Sequence, residues 1–367
     1  MAKRLPVTVI TGFLGAGKTT VLRHLLTRGG QRLAVMVNEF GSVGLDGDLI
    51  RSCGFCPEEE VDGRLVELNN GCLCCTVQDD FLPTMETLLE RADQLDGIVV
   101  ETSGLALPRP LLQALDWPAI RSRVHVNGVV TLVDGEALAA GSPVADAEAL
   151  ERQRAEDPSL DHLTAIDDLF EDQLQAADLV LISRADCLDA SAMAEVQGRI
   201  KDKVRPGTAL LPVSQGQVET SVVLGIDHKP IPQEAHTHHD HDHHDHHDHS
   251  HVDMVGSNVR VEGDLDRQAL EQLLPSLVSN HQVVRLKGRV WLPSKTLPLQ
   301  IQMVGPRLNS WFEAAPSHAW RPDQGCGADL VVLALNEAAA PALESGLQRL
   351  VQATPAKASP AAATPES

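Results

Sequence analysis

The chain has 367 residues, a formal net charge of −21 and 43% hydrophobic residues. This length suits two domains, or one large domain and a smaller one, and the apolar content is sufficient for a core. The acidic balance argues against a nucleic-acid partner, because phosphate contacts need clustered Lys and Arg. No apolar stretch approaches the ~20 residues that span a bilayer, so we expect no contact with a membrane.

The N-terminus and the cysteines bear on the cellular location. The N-terminus shows no signal-peptide pattern and leads into a predicted strand within a few residues, which favours a cytoplasmic protein. The seven Cys would then be mostly reduced thiols, available to a metal or to chemistry rather than to disulfides.

Residues 12–20 read GFLGAGKTT and fit the phosphate-loop pattern G-x-x-x-x-G-K-[ST]. A β-branched run at 7–10 predicts a buried strand before the loop, and apolar spacing over 21–26 predicts an amphipathic helix after it. Such a loop points backbone N–H groups at phosphate oxygens, beside the positive end of the helix dipole. The residues assigned to the nucleotide phosphates are Gly12, Gly15, Ala16, Gly17, Lys18, Thr19 and Thr20.

Two side chains of this loop have individual predicted roles. Lys18 would hold the β- and γ-phosphates and serve catalysis, and Thr19 would ligate Mg²⁺. The alternative is a glycine-rich turn that binds nothing, but strand, loop, Lys-Thr pair and helix all agree with a phosphate site.

A second strand is predicted at 33–37, and Asn-Glu-Phe-Gly follows it at 38–41. In nucleotide switch proteins the segment after such an early strand often reaches towards Mg²⁺ and the γ-phosphate. Glu39 is therefore a candidate metal contact, either direct or through water. The alternative is a solvated loop carboxylate.

Thiols are concentrated in the next part of the chain. Cys72, Cys74 and Cys75 fall within four residues, and a C-x-x-C formed by Cys53 and Cys56 precedes them. Thiolates at the closer spacing suit a soft or borderline ion such as Zn²⁺, Co²⁺ or Cu⁺. The alternative is that they are buried small hydrophobes. The earlier pair would complete the site, neighbour it or have no part in it.

A buried strand at 97–100 ends in Glu-Thr-Ser-Gly at 101–104. A carboxylate at a strand end beside the phosphate loop is the second element of this nucleotide fold. Glu101 would hold a water on Mg²⁺ or position the attacking water, and Gly104 would donate its N–H to the γ-phosphate. The alternative for Glu101 is a carboxylate that only caps the next turn.

Further strands are predicted at 129–134 and 178–182, and Ser183, Arg184, Ala185 and Asp186 follow the second. Guanine-nucleotide proteins typically carry Asn-Lys-x-Asp at this position. Asp186 would accept the two guanine N–H donors, and the stem of Arg184 would cover the base. Ser183 stands where Asn is usual, which weakens the case for strict guanine selectivity; the alternative is a strand-end turn.

Strands that alternate with helices predict an α/β P-loop NTPase domain with a mostly parallel sheet, over residues 1–225. Residues 226–255 are a predicted flexible linker, in which 236–251 hold ten His and four Asp. Imidazoles at this density bind divalent metals loosely; the alternative is a merely solvated linker. A small C-terminal α+β domain without a chemical motif is predicted at 256–352, and a disordered tail at 353–367.

The phosphate loop together with 38–41, 71–75 and 101–104 resembles the CobW-type GTPases. The Cys-x-Cys-Cys segment is the specific part of this resemblance, which covers nearly the whole chain. It implies a GTP-driven metallochaperone for zinc, cobalt or nickel-type ions, which hydrolyses GTP with Mg²⁺ and passes its metal to a client protein.

Within that family, residues 101–118 and 183–186 look most like the CobW subgroup of cobalamin biosynthesis. This closer resemblance implies delivery of Co²⁺ to the cobalt-insertion machinery. Thiolate chemistry alone would favour Zn²⁺, which binds such a site more tightly than Co²⁺. A zinc chaperone, a regulatory GTPase with a structural metal site and a His-rich metal buffer are the competing hypotheses.

Overall fold

The computed structural model describes residues 4–28, 30–37, 65–67, 81–146, 148, 150, 166–225 and 254–353. The chain divides into two compact units. One comprises Met1–Met254 with Val304–Arg307, and the other Val255–Met303 with Leu308–Ser367. The predicted Glu39, the five cysteines between 53 and 75, the His-rich run and nearly all of the tail lie outside the described residues.

The first unit contains a seven-stranded sheet in which every neighbouring pair of strands is parallel. The strand order is β3-β2-β4-β1-β5-β6-β7. In chain order the strands are β1 (Leu5–Gly12), β2 (Leu33–Val37), β3 (Leu65–Glu67), β4 (Gly97–Glu101), β5 (Val124–Asp134), β6 (Leu179–Ser183) and β7 (Ala209–Pro212). The predicted α/β class with a parallel sheet is confirmed.

Helices cover both sides of the sheet, which explains why its central strands read as continuous apolar runs. In chain order they are α1 (Lys18–Arg28), α2 (Leu82–Glu90), α3 (Pro108–Leu115), α4 (Gly135–Ala139), α5 (Ile166–Ala176), α6 (Ala190–Lys201) and α7 (Thr220–Leu224). Helices α2 and α3 share one apolar cluster with β1, β2 and β4, while α5 and α6 share a second with β5 and β6. All eight residues of β1 are buried between these layers.

Strand β5 starts at Val124, five residues before the predicted strand at 129–134. The prediction missed its first part because two polar residues interrupt the apolar pattern. His125 and Asn127 are both buried. The Asn127 side chain donates hydrogen bonds to Thr8 Oγ1 and the Leu224 carbonyl, both at 2.8 Å. These bonds satisfy the buried amide and join β5 to β1 and α7.

The second unit is the predicted α+β domain, built on a five-stranded sheet of order β11-β10-β9-β12-β8. Its elements are β8 (Val255–Glu262), α8 (Arg267–Asn280), β9 (Val283–Trp291), β10 (Leu299–Val304), β11 (Arg307–Phe312), β12 (Gly327–Ala334) and α9 (Ala339–Ala353). Strand β12 pairs antiparallel with both β8 and β9. Edge strand β11 was not predicted. None of its residues is buried, so it lacks the alternation of buried and exposed side chains by which a strand is recognised.

None of the helices within the described ranges combines the length and apolar character that a bilayer crossing requires.

Candidate nucleotide site

The phosphate loop leaves β1 at Gly12 and enters α1 at Lys18. Gly12 has φ 134°, and a Cβ atom there would lie 2.2 Å from the Leu132 carbonyl oxygen of β5. A side chain is therefore excluded by both backbone conformation and space. Helix α1 begins directly after the loop, and the N-terminus of a helix favours an anion through its N–H groups and its dipole.

The ammonium group of Lys18 bends back over the loop that precedes it. Its Nζ donates hydrogen bonds to the carbonyls of Gly12 at 2.9 Å and Phe13 at 3.1 Å, and the side chain is buried. A buried cation requires such partners. The geometry holds a positive charge at the centre of the loop, where Lys18 was predicted to meet phosphate.

The structure brings together Thr19 and Glu101, which are 82 positions apart in the chain. The Thr19 hydroxyl donates to Glu101 Oε1 at 3.2 Å, and Glu101 is 2% exposed. Parallel pairing of β1 with β4 sets this contact, with Ile10 opposite Glu101. A hydroxyl and a carboxylate oxygen beside a phosphate loop are hard donors, so this pair fits Mg²⁺.

The residues that follow β4, 102–106, are called the β4 exit segment below. Its first residue is bound to the end of β1: Thr102 N–H donates to the Ile10 carbonyl, and the Thr102 hydroxyl donates to Thr11 Oγ1, both at 2.9 Å. Its Gly104 lies against the phosphate loop so closely that a Cβ atom would be 2.6 Å from the Leu14 nitrogen. Gly104, for which a γ-phosphate contact was predicted, therefore belongs to a segment that is packed on the loop.

The predicted base-binding segment follows β6 at the same edge of the sheet. A Cβ atom on Gly17 would lie 3.7 Å from Ser183 Cβ, which places the segment beside the phosphate loop. The Ser183 hydroxyl is bonded to the Val133 carbonyl at 3.1 Å. Asp186 is exposed, as a group that is to meet a base must be.

Arg184 adopts a left-handed conformation with φ 54°. Its guanidinium forms ion pairs with Asp134 at 2.9 Å and Glu136 at 3.4 Å. Asp134 is 2% exposed and also accepts a hydrogen bond from Ala137 N–H at the start of α4. The ion pairs hold the Arg184 side chain at the end of β5, next to the predicted base site.

One loop of this edge was missed by the sequence analysis. After β7, Gly216 (φ 71°) lies against α1, where a Cβ atom would be 2.8 Å from Thr20 Cγ2. The Val218 backbone is hydrogen-bonded to His24, whose pKa is lowered by burial and by Arg28 despite that bond. A polar, glycine-containing run directly after the last parallel strand was the available signal, since ligands bind at this edge.

No group of three or more His, Cys, Asp or Glu able to hold a metal occurs among the described residues. The cysteines there are Cys187, which is exposed, and Cys326, which is partly exposed. The predicted thiol ligands Cys72, Cys74 and Cys75 lie outside the described part, so their role stays a prediction.

A strand, a phosphate loop that ends in Lys-Thr, and an acidic strand end in contact with that Thr define a P-loop nucleoside triphosphatase. Residues 6–212 match the family model "CobW/HypB/UreG, nucleotide-binding domain". Residues 254–351 match the family model "Cobalamin synthesis protein cobW C-terminal domain". The chain therefore belongs to the CobW family of GTPases, and the predicted resemblance is confirmed.

Relatives with known names are similar over nearly the full chain. The Pseudomonas aeruginosa protein "Zinc chaperone CobW" is 44% identical over 342 residues, covering 90% of this chain and 87% of its own. A Sinorhizobium protein of the same name is 40% identical over 353 residues, covering 95% and 98%. The crystal structure of Zn(II)-bound YjiA GTPase from E. coli aligns with 95% of this chain and 99% of its own, at 19% identity. Its TM-score of 0.38 is too low to support any argument about this chain.

Replacing Lys18 by Ala should lower GTP turnover by roughly 10²-fold or more, because the loop would lose the cation that is predicted to hold the β- and γ-phosphates. The measurement is kcat and KM for GTP, with thermal unfolding to check the fold. Lys201→Ala, at the exposed end of α6, is the matched control. Wild-type turnover in a folded Lys18→Ala protein would contradict the assigned site.

Replacing Gly104 by Ala should impair GTP hydrolysis, since the added methyl group must push the β4 exit segment off the phosphate loop. We expect a loss of about tenfold or more, for a displacement within reach of the reacting groups. Gly198→Ala on α6 is the control, because a Cβ there meets nothing within 4 Å. Equal activity of the two variants would show that this close approach has no role in hydrolysis.

Proposed function

We propose that this GTPase is a zinc chaperone, which binds Zn²⁺ at Cys72, Cys74 and Cys75 and releases it to a client protein on GTP hydrolysis. The observation that carries the proposal is the contact of Thr19 with Glu101 beside the phosphate loop. It supports an intact hydrolytic site, which a metal buffer would not need.

The sheet topology supports a link between that site and the thiols. Strand β3 ends at Glu67 and runs parallel to its neighbour β2, so the chain leaves it at the edge where β1 and β4 also end. Cys72 follows five positions later. Strand β2 ends at the same edge, two positions before Glu39.

Zinc is preferred to cobalt as the cargo for two reasons. Two relatives, which cover 90% and 95% of this chain, carry the name zinc chaperone. Thiolates also bind Zn²⁺ more tightly than Co²⁺ in the usual order of divalent affinities. Neither reason supports the earlier expectation of Co²⁺ delivery to cobalamin synthesis, and the client is proposed only as a metal-accepting protein.

The nucleotide would be held by the loop residues and Lys18, with guanine read by Asp186. Thr19 and Glu101 would hold Mg²⁺, which supplies charge neutralisation at the phosphates when bound. Glu39 is proposed as a further contact of that ion. Strand β2 ends with Val37 opposite Glu101, and Glu39 follows two positions later in the sequence.

The main test is the coupling of nucleotide to metal. Zn²⁺ affinity should be higher with a non-hydrolysable GTP analogue than with GDP, by ~5–150-fold, the usual range of coupling between sites. Reductant and Mg²⁺ are present throughout, and Co²⁺ is titrated in competition. The triple change of Cys72, Cys74 and Cys75 to Ser should abolish tight binding, whereas Cys187→Ser should not.

Each alternative has its own outcome in this test. Equal affinities in the apo, GDP and GTP-analogue states would indicate a regulatory GTPase with a structural metal. Tighter binding of Co²⁺ than of Zn²⁺ would restore the cobalt assignment. Tight binding that survives the triple change would remove the thiols from the site.

Deletion of residues 236–251 should lower the number of weakly bound Zn²⁺ ions without changing the tight site or GTP turnover. The reason is that dense imidazoles bind divalent ions with little selectivity. Equilibrium dialysis at increasing Zn²⁺ separates the two classes of site. Loss of the tight site on deletion would show that the histidines, rather than the cysteines, are the primary ligands.

A further inference from the structure

Gln173 is a polar side chain in the middle of α5 that is fully buried. Its amide Nε2 donates hydrogen bonds to the main-chain carbonyls of Gly104 at 3.1 Å and Ala106 at 3.2 Å. Both carbonyls belong to the β4 exit segment. One amide of α5 therefore holds this segment at two points.

The same helix also contacts the phosphate loop. Phe170, one turn before Gln173, packs its ring on Phe13 with 5.8 Å between centroids. Phe13 is 2% exposed and lies next to Leu14, the residue that Gly104 approaches closely. Helix α5 thus touches both partners of the contact between phosphate loop and β4 exit segment.

Stability alone does not favour a Gln at this position. Its Oε1 is buried and has no hydrogen-bond partner among the described residues. A buried polar atom without a partner is destabilising, whereas an apolar residue of similar size would avoid that cost. The two bonds from Nε2 are the gain that offsets it.

We propose that Gln173 is a positioning residue for GTP hydrolysis, which holds the β4 exit segment on the phosphate loop so that Gly104 and Glu101 face the γ-phosphate. It acts through the main chain and is not itself a catalytic residue. GDP lacks the γ-phosphate that the segment is positioned to contact. Gln173 therefore stabilises the complex with GTP and not the complex with GDP. This inference concerns hydrolysis and does not depend on the metal that is carried.

The test compares Gln173→Met with Gln173→Asn. Met keeps the length of the side chain and removes the donor, while Asn keeps the donor on a shorter stem. Gln175→Met is the matched control: it lies on the same helix, and its Nε2 donates to the Lys203 carbonyl at 2.8 Å, away from the site. The full-length protein is used throughout, with kcat and KM for GTP, affinities for GDP and a non-hydrolysable GTP analogue, and thermal unfolding.

For Gln173→Met we expect kcat and affinity for the GTP analogue each to fall roughly tenfold, the scale of one or two lost hydrogen bonds. GDP affinity should stay within about twofold, and Gln175→Met should match the wild type. If Gln173→Met does not fold, Gln173→Asn provides the test. The proposal then requires that this variant lose kcat and affinity for the GTP analogue but keep its affinity for GDP. Equal losses for GDP and the GTP analogue, or a lowered unfolding temperature with unchanged kcat, would show that Gln173 is only structural and overturn the proposal.

Discussion

Parallel pairing of β1 with β4 and β5 is the constraint on which the site depends. It sets the ends of these strands side by side, with Ile10 opposite Glu101 and Gly12 opposite Leu132. Thr19 then reaches Glu101 from the first turn of α1, and Gly12 fits against the Leu132 carbonyl only because it lacks a side chain. A shift of one residue in either pairing would separate these groups, since successive side chains point to opposite faces.

Most of the first unit and its phosphate loop could be predicted, because each element has a strong local signal. Continuous apolar runs predicted the central strands, and the glycine pattern with Lys18 and Thr19 predicted the loop between β1 and α1. Parallel strands end at one edge, so Glu101 and Asp186 could be assigned to the same site from their positions after strands. Their individual contacts could not be predicted, because those depend on tertiary packing.

The features that could not be predicted are mainly buried polar side chains on strands and helices whose core-facing residues are otherwise apolar. Asn127 interrupts the apolar pattern of β5, so the first half of that strand was not predicted. Gln173 lies in an amphipathic helix pattern with no motif around it, so its contacts were not predicted either. Each has an amide that donates to main-chain carbonyls distant in sequence, and Asn127 also donates to the Thr8 hydroxyl. No local pattern marks such a residue, and departures from the apolar rule are where function is most often found.

The acidic net charge of the chain affects how this site can attract a nucleotide. A net charge of −21 repels a nucleotide at long range, so attraction must come from local groups. Arg184 is already paired with Asp134 and Glu136, so most of its charge is neutralised and contributes little to attracting a nucleotide. Lys18 and the first turn of α1, which contains no acidic residue, supply the positive potential of the loop. Glu101 adds a negative charge beside them, which would repel a bound triphosphate unless a cation lay between the two. Because the Thr19 hydroxyl is hydrogen-bonded to Glu101, a divalent cation held by this pair would lie between the carboxylate and a bound triphosphate, and the two would then stabilise each other's binding.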